Sequence, residues 1–135
     1  MQTRPYAVLQ FWGDECDPRV VSKRLRLPPS ETTFPGQPRV YWSGNKLEDR
    51  GDYSVGCWRL STQTLCGGKT AKVHLRWLLD LIGEKRSAIL ELCHICDAEI
   101  TLMFTPHDGY PPRSLQEEVA YFGINLNIPR WPLHE

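Results

Sequence analysis

Three groups of residues in this sequence have types and spacings that could do chemistry. The stretch "LCGGKT" (residues 65–70) ends in the Gly-Lys-Thr of a phosphate-binding loop. The stretch "CHIC" (residues 93–96) places two thiols three positions apart, as many zinc sites do. The possible bases are the four histidines, His74, His94, His107 and His134. Each group has to be judged against the elements that would position it.

The phosphate-loop interpretation fails on spacing. A phosphate loop needs a glycine five residues before Gly68, and that position holds Gln63. The preceding strand is interrupted by polar residues, and no other strand ends in an obvious aspartate for Mg²⁺. We therefore expect a Gly-Gly turn that enters a helix capped by Thr70, and no nucleotide cofactor.

The "CHIC" thiols lack the second pair of ligands that a tetrahedral zinc site requires. Cys57 and Cys66 are nine residues apart and His74 falls on a helix, so a site would need ligands from scattered elements. A thioredoxin-type role is not expected, because an acidic residue follows Cys96 and the pair does not open a helix. We predict no metal, and buried or idle thiols rather than a disulfide framework.

No catalytic residue is predicted either. A nucleophile needs a histidine beside it, oriented by a carboxylate, and the sequence contains no local signature of such a set. The adjacent Glu117 and Glu118 lie in the first turn of a helix, where the helix dipole alone favours acidic residues.

Length and charge exclude some classes of partner. The chain has 135 residues, which is the size of one domain covering residues 1–135. Sixteen basic and sixteen acidic residues leave no net positive field for nucleic acid. No apolar run is long enough for a membrane span, and the N-terminus lacks the pattern of a signal peptide. We expect a cytosolic protein that binds neither nucleic acid nor membrane.

In the first half of the chain, "YAVLQFWG" (residues 6–13) predicts a strand, and Asp17-Pro18 predicts the start of a helix that Pro28-Pro29 ends. A short strand at "RVYW" (residues 39–42) and a longer one at residues 53–62 are predicted to form a hairpin. The charged stretch "NKLEDRGD" (residues 45–52) is predicted to be the turn between them.

In the second half, leucines at helical spacing predict a helix over residues 71–82 that stops at Gly83. "SAILELCHI" (residues 87–95) fits either a continued helix or a buried strand, and we favour a strand in a hairpin with residues 99–105. A capping box of Ser114 and Glu117 predicts a last helix, followed by Gly123 and an alternating strand at residues 124–128.

This order is βαββαβ followed by βαβ. It predicts an α+β fold of the extended ferredoxin-like type, with a mainly antiparallel sheet and its helices on one face.

Tryptophan is abundant for this length and is enriched at binding hot spots. Two segments, residues 33–45 and 129–133, have the weakest secondary-structure signals in the sequence. Each contains an arginine close to a tryptophan: Arg39 with Trp42, and Arg130 with Trp131. We predict these four residues as partner-binding anchors, although packing at the sheet edge is an alternative for both tryptophans.

The order of motifs resembles a known family. "FWGDECDP" leads into "RLRLPPS", and "GCWRLST", "HLRWLLDLI" and "LQEEVAYFGINLNI" follow. This is similar to the bacterial family known as domain of unknown function 4279. The resemblance implies a small cytosolic α+β protein with no established activity. Small families of this kind often occur as immunity proteins beside secreted toxins. The segment of residues 30–45 and the "CHIC" turn depart from the family pattern.

The expected function is therefore a non-catalytic protein-binding module, an immunity protein that neutralises a toxin by covering its active site. The alternative is a small enzyme or ligand-binding domain that uses scattered His, Cys and Asp residues.

Overall fold

The computed structural model describes residues 5–103 and 110–129. These residues form, in chain order, β1 (Tyr6–Gly13), α1 (Pro18–Leu25), β2 (Glu31–Thr33), β3 (Pro38–Ser43), β4 (Lys46–Asp52), β5 (Gly56–Ser61), α2 (Ala71–Ile82), α3 (Arg86–Leu92), β6 (Asp97–Met103), α4 (Arg113–Tyr121) and β7 (Asn125–Asn127).

Five of the strands form one sheet in the order β2-β5-β1-β6-β7. β1 is central and antiparallel to both β5 and β6, and β7 runs parallel to β6. β3 and β4 form a separate two-stranded sheet. The predicted α+β class and the mainly antiparallel sheet are confirmed, while this strand order leaves the extended ferredoxin-like topology unconfirmed.

The side chains of β1 point alternately to the two faces of the five-stranded sheet. Ala7, Leu9 and Phe11 are fully buried, and the Phe11 ring meets the Trp58 ring edge-on with centroids 5.9 Å apart. On the opposite face, Gln10 is paired in register with Arg59 of β5 and with Glu99 of β6. One face therefore builds the core and the other is largely polar.

The helices pack on the core face. α2 contacts β1 and β6, α1 contacts β5, and α4 contacts β7. Their buried side chains join the apolar side chains of the sheet in one cluster that includes Val21, Leu75, Leu78, Ile89 and Val119. Among the described residues, no helix is both long and apolar enough to cross a membrane.

The start of α1 is as predicted. The Asp17 side chain accepts a hydrogen bond from the Arg19 backbone N–H at 2.9 Å, and Pro18 occupies the first helical position. The helix ends before the predicted Pro28-Pro29, because Arg26 adopts a left-handed conformation (φ 56°) while its N–H still bonds the Ser22 carbonyl at 2.7 Å.

The preferred assignment of residues 87–95 to a strand is wrong. This stretch forms α3 and the turn after it, so the predicted hairpin with residues 99–105 does not exist. Ile89 and Leu92 are buried three positions apart, and Gly83 has ordinary right-handed helical angles that let the chain turn directly into α3. A short apolar run fits a buried strand and a short helix equally well, and packing against α1 decides between them.

The predicted hairpin in the first half is also wrong. Residues 46–52 are strand β4 rather than a turn, and β4 pairs with β3 through a two-residue loop between Ser43 and Lys46. β5 pairs instead with β1 and with β2, a three-residue strand that the sequence did not indicate. Charged residues are tolerated in β4 because a two-stranded sheet is open to water.

The capping box predicted for the last helix does not form. The residue at the N-cap of α4 is Pro112, and no side chain caps the helix there. The buried stripe of Leu115, Val119 and Phe122 is confirmed, as are Gly123 (φ 76°) as the stop and the alternating strand that follows.

Candidate functional site

Thr62 and His74 are the described pair that most resembles a nucleophile with its base. The Thr62 Oγ1 atom lies 2.6 Å from His74 Nδ1, and both residues are almost completely buried. The other ring nitrogen, Nε2, lies 2.8 Å from the Gly68 carbonyl oxygen. Because a carbonyl oxygen only accepts hydrogen bonds, Nε2 carries the ring proton and Nδ1 accepts the Thr62 hydroxyl proton.

This pair is structural. The Thr62 Oγ1 atom also accepts the backbone N–H of Ala7 at 2.9 Å, so each polar atom of the threonine and the imidazole has a partner. A substrate could not reach a hydroxyl that is 0% exposed. His74 thus ties the loop at Gly68 to the start of α2 and, through Thr62, to β1.

The same contacts explain why "LCGGKT" is not a phosphate loop. The Gly68 carbonyl is bound by His74, and the Gly68 N–H lies 3.4 Å from the Cys66 sulfur, which accepts it. A Cβ at Gly68 would stand 2.3 Å from a Val73 methyl group, so the turn is packed onto α2. Thr70 caps α2 as predicted, accepting the Val73 N–H at 3.3 Å.

A polar cavity of about 250 Å³ lies where β1 ends and β6 begins. Its lining comes from two stretches far apart in the sequence, the "GDE" at the end of β1 and the whole of the "CHICD" that leads into β6: Gly13, Asp14, Glu15, Cys93, His94, Ile95, Cys96 and Asp97. The "GDE" stretch belongs to a motif that resembles the family, and the "CHIC" stretch departs from the family pattern. The two therefore line one cavity.

Two glycines are needed at this end of the sheet, Gly13 for its backbone angle and Gly56 for space. Gly13 has a φ of 145°, and a Cβ built on it would lie 3.9 Å from the Cys96 Cα and the Asp97 nitrogen. A Cβ at Gly56 would lie 2.0 Å from the Cys16 carbonyl oxygen, which no side chain can accept. Only glycine at position 56 therefore lets the loop after β1 sit against β5.

Four of the five cysteines gather here. Cys16 follows β1, Cys57 lies on β5, and Cys93 and Cys96 flank the turn between α3 and β6. Cys16 and Cys96 are 3% and 6% exposed and belong to the same core cluster. Cys66 remains apart, at the loop that His74 holds.

Burial dominates the electrostatics of these thiols. It raises the pKa of Cys16 well above the ordinary value, and the hydrogen bond to Cys96 and the nearby Cys57 raise that pKa further. Burial also raises the pKa of Cys57, Cys93 and Cys96, but for Cys96 the hydrogen bond from Cys16 partly opposes the effect. All four are therefore protonated thiols at neutral pH.

Metal binding has no support from this geometry. Within residues 5–103 and 110–129, no group of three or more His, Cys, Asp or Glu side chains is arranged to hold a metal ion. The "CHIC" thiols, Cys93 and Cys96, lie in the turn that follows α3, not on the hairpin turn that we expected.

Two of the four predicted partner-binding residues have a described backbone position, and it lies outside this cavity. Arg39 and Trp42 lie on β3, where Trp42 is paired in register with Leu47 of β4. Arg130 and Trp131 fall outside the described residues. The sequence reasoning missed the cavity because its two stretches lie far apart in the chain and no local pattern links them.

Comparison with known proteins supports the motif order read from the sequence. A search of curated proteins finds no match. The family model described as "Domain of unknown function (DUF4279)" matches residues 1–131, nearly the whole chain. The chain therefore belongs to the family known as domain of unknown function 4279.

Proposed function

We propose that this protein is a non-catalytic protein-binding module and that the β3–β4 hairpin forms part of its contact surface. One observation carries the proposal. The hairpin stands outside the five-stranded sheet and exposes two large apolar side chains, Val40 (45% exposed) and Leu47 (58% exposed). A two-stranded hairpin is only marginally stable alone in water, so apolar side chains left open on it are better explained by a partner than by folding.

Two of the predicted anchors, Arg39 and Trp42, belong to the same hairpin. Trp42 is the register partner of Leu47 and lies two positions from Val40 on the same strand, with Arg39 between Pro38 and Val40. Tryptophan and arginine are the residue types that most often dominate binding energy. Arg130 and Trp131 remain proposed anchors on the basis of the sequence alone.

The narrower form of the proposal is that the partner is a toxin and that this protein neutralises it by covering its active site. Its support is the family resemblance and the association of such small families with toxins. In addition, the described nucleophile–base pair, Thr62 with His74, is closed to substrate by burial.

The test is co-expression with the product of the neighbouring gene, followed by size-exclusion chromatography and a titration of binding. We expect a complex whose dissociation constant rises about tenfold in Leu47→Thr and about thirtyfold in Trp42→Ala, since a hot-spot truncation costs about 2 kcal/mol or more. Threonine keeps the strand propensity at position 47. We expect Trp131→Ala to weaken the complex as well.

Leu65→Thr is the matched control, because Leu65 is 52% exposed but lies in the loop before α2. It should bind like the wild type. Normal binding by Leu47→Thr, Trp42→Ala and Trp131→Ala would place the contact surface elsewhere. If the neighbouring gene product forms no complex, or retains full activity within one, the toxin-inhibitor form of the proposal fails.

A second candidate function is the binding of a small ligand in the cavity between the "GDE" and "CHICD" stretches. The observation in its favour is the polar lining, with three carboxylates and the His94 imidazole around about 250 Å³. Native mass spectrometry of the same purified protein separates the two candidates. A retained small molecule that disappears in Asp97→Asn supports ligand binding, whereas a bare chain that still captures the protein partner supports the first proposal.

A further inference from the structure

We propose that the C-terminal half of α1 is a docking surface for an acidic, carboxylate-rich segment of a partner protein. The surface is a cavity of about 460 Å³, called the α1 cavity below. Its described lining is one apolar and three basic side chains: Val20, Lys23, Arg24 and Arg26. The α1 cavity lies on a different element from the β3–β4 hairpin, and its role does not depend on the hairpin proposal.

Helical periodicity brings this lining together. Val20, Lys23 and Arg24 follow the i, i+3, i+4 spacing that places side chains on one face of a helix. Val21 and Leu25 lie on another face of α1 and are fully buried in the core. The basic side chains therefore stand on a helix whose position is fixed by packing.

Arg26 provides an independent observation. Its backbone is left-handed, with a φ of 56°, and among the described residues it is the one residue other than glycine with a positive φ. Glycine is the usual residue at such a helix end, because a Cβ makes left-handed backbone unfavourable. Backbone strain of this kind is concentrated at functional sites. The arginine is therefore better explained by its side chain in the α1 cavity than by the end of the helix.

Most of the positive charge in the α1 cavity is left without a partner in the fold. Arg24 forms an ion pair with Glu91 of α3 at 3.2 Å, and both side chains remain 59% exposed. Within residues 5–103 and 110–129, neither Lys23 nor Arg26 forms an ion pair. The helix dipole favours basic residues at this end of α1, but it explains neither the cavity nor Val20, which is 39% exposed there.

The charge and size of the α1 cavity favour an acidic peptide over other anions. Carboxylates complement the three clustered cations, and the exposed Val20 offers an apolar contact to a neighbouring side chain of the same segment. The volume falls within the range of about 300–1,000 Å³ typical of ligand pockets, which is far more than a single phosphate needs. Nucleic acid is disfavoured, because sixteen basic and sixteen acidic residues leave the chain without a net positive field.

The test is an NMR titration of the isotope-labelled full chain with a six-residue glutamate peptide. We expect the backbone amide signals of residues 20–26 to shift, and the dissociation constant to rise at least about fivefold from about 50 to 300 mM NaCl, because salt screens exposed charges. A six-residue glutamine peptide, inorganic phosphate and a six-residue thymidine oligonucleotide should each bind at least about tenfold more weakly. The proposal is overturned if residues 20–26 do not respond to the glutamate peptide, or if any of the other three probes binds as tightly.

Three single variants distinguish a site from general charge attraction. Lys23→Gln should weaken binding of the glutamate peptide about threefold, the usual scale for one exposed ion pair. Lys72→Gln is the matched control, because Lys72 is an exposed lysine on α2 outside the α1 cavity, and it should bind like the wild type. Glu91→Gln should tighten binding about twofold, because it frees Arg24 and removes a competing carboxylate. Equal weakening by Lys23→Gln and Lys72→Gln, or weaker binding by Glu91→Gln, would contradict the proposal.

Arg26→Gly tests why an arginine occupies a left-handed position. Glycine suits a φ of 56°, so this variant should melt close to the wild type and bind the glutamate peptide about threefold more weakly. A lower melting temperature together with unchanged binding would show that Arg26 serves the end of α1 and not a ligand.

Discussion

At the scale of single residues, His74 has the best-defined structural role. Its two ring nitrogens satisfy the Thr62 hydroxyl and the Gly68 carbonyl, and Thr62 in turn satisfies the Ala7 N–H. His74→Phe would keep the aromatic bulk and leave buried polar groups unpaired, each at a cost of about 1–3 kcal/mol. We expect the free energy of unfolding, measured in urea, to fall by about 3 kcal/mol.

His94→Phe is the control for this substitution, because His94 is an exposed histidine that lies beyond α3. Its effect on stability should stay within about 0.5 kcal/mol. A similarly small effect of His74→Phe would show that the hydrogen bonds of the imidazole contribute little and that position 74 needs only a large ring.

Cys16 makes stability depend on alkaline pH. Its pKa in the folded chain lies above the ordinary 9.0 of a thiol, chiefly because of burial. Above that ordinary value the unfolded chain releases the proton and the folded chain retains it. The stabilisation is therefore complete below about pH 9 and is lost as the pH rises, by up to about 1.4 kcal/mol per pH unit.

Urea unfolding between about pH 8 and pH 10.5 should reveal this loss, and Cys16→Ala should make it less steep, while the raised pKa values of Cys57, Cys93 and Cys96 keep part of it. Val21→Ala is the matched control, since Val21 is a fully buried neighbour on α1 with no titrating group. It should lower stability at every pH and keep the wild-type slope. Equal slopes in wild type and Cys16→Ala would contradict the burial argument.

At the scale of elements, the contact between β5 and the loop after β1 depends on one glycine. A Cβ at position 56 would stand 2.0 Å from the Cys16 carbonyl oxygen, and backbone cannot yield as a flexible side chain can. Gly56→Ala should therefore lower the free energy of unfolding by at least about 3 kcal/mol in urea.

Gly67→Ala offers the matching test, because a Cβ at Gly67 would meet no atom within 4 Å. That substitution should change stability by less than about 1 kcal/mol. If Gly56→Ala is tolerated equally well, the loop after β1 can shift away from β5, and the contact does not position Cys16.

At the scale of the whole molecule, the hairpin of β3 and β4 and the buried cysteines belong to different parts of the fold. The hairpin offers exposed apolar side chains outside the main sheet, whereas Cys16 and Cys96 lie in the core. Substitutions on the hairpin can therefore be tested for binding without changing the core.

The sequence alone determined the elements whose patterns are local. The aromatic and aliphatic run of β1, the alternation over β6 and β7, the helical spacing over α2 and α4, the Asp17-Pro18 start of α1 and the glycine after α4 all appear in the structure. These signals suffice because a cap, a turn or a buried stripe is specified by residues within a few positions of one another. The order of such elements was also enough to identify the family.

Only the tertiary structure decided the features that depend on contacts between residues far apart in the chain. Residues 86–92 are a helix because they pack beside α1, and the charged residues 46–52 are a strand because β3 pairs with them. The cavity shared by Asp14 and His94 follows from the pairing of β1 with β6. No periodicity encodes such distances, because they are set by which strands become neighbours and in what register.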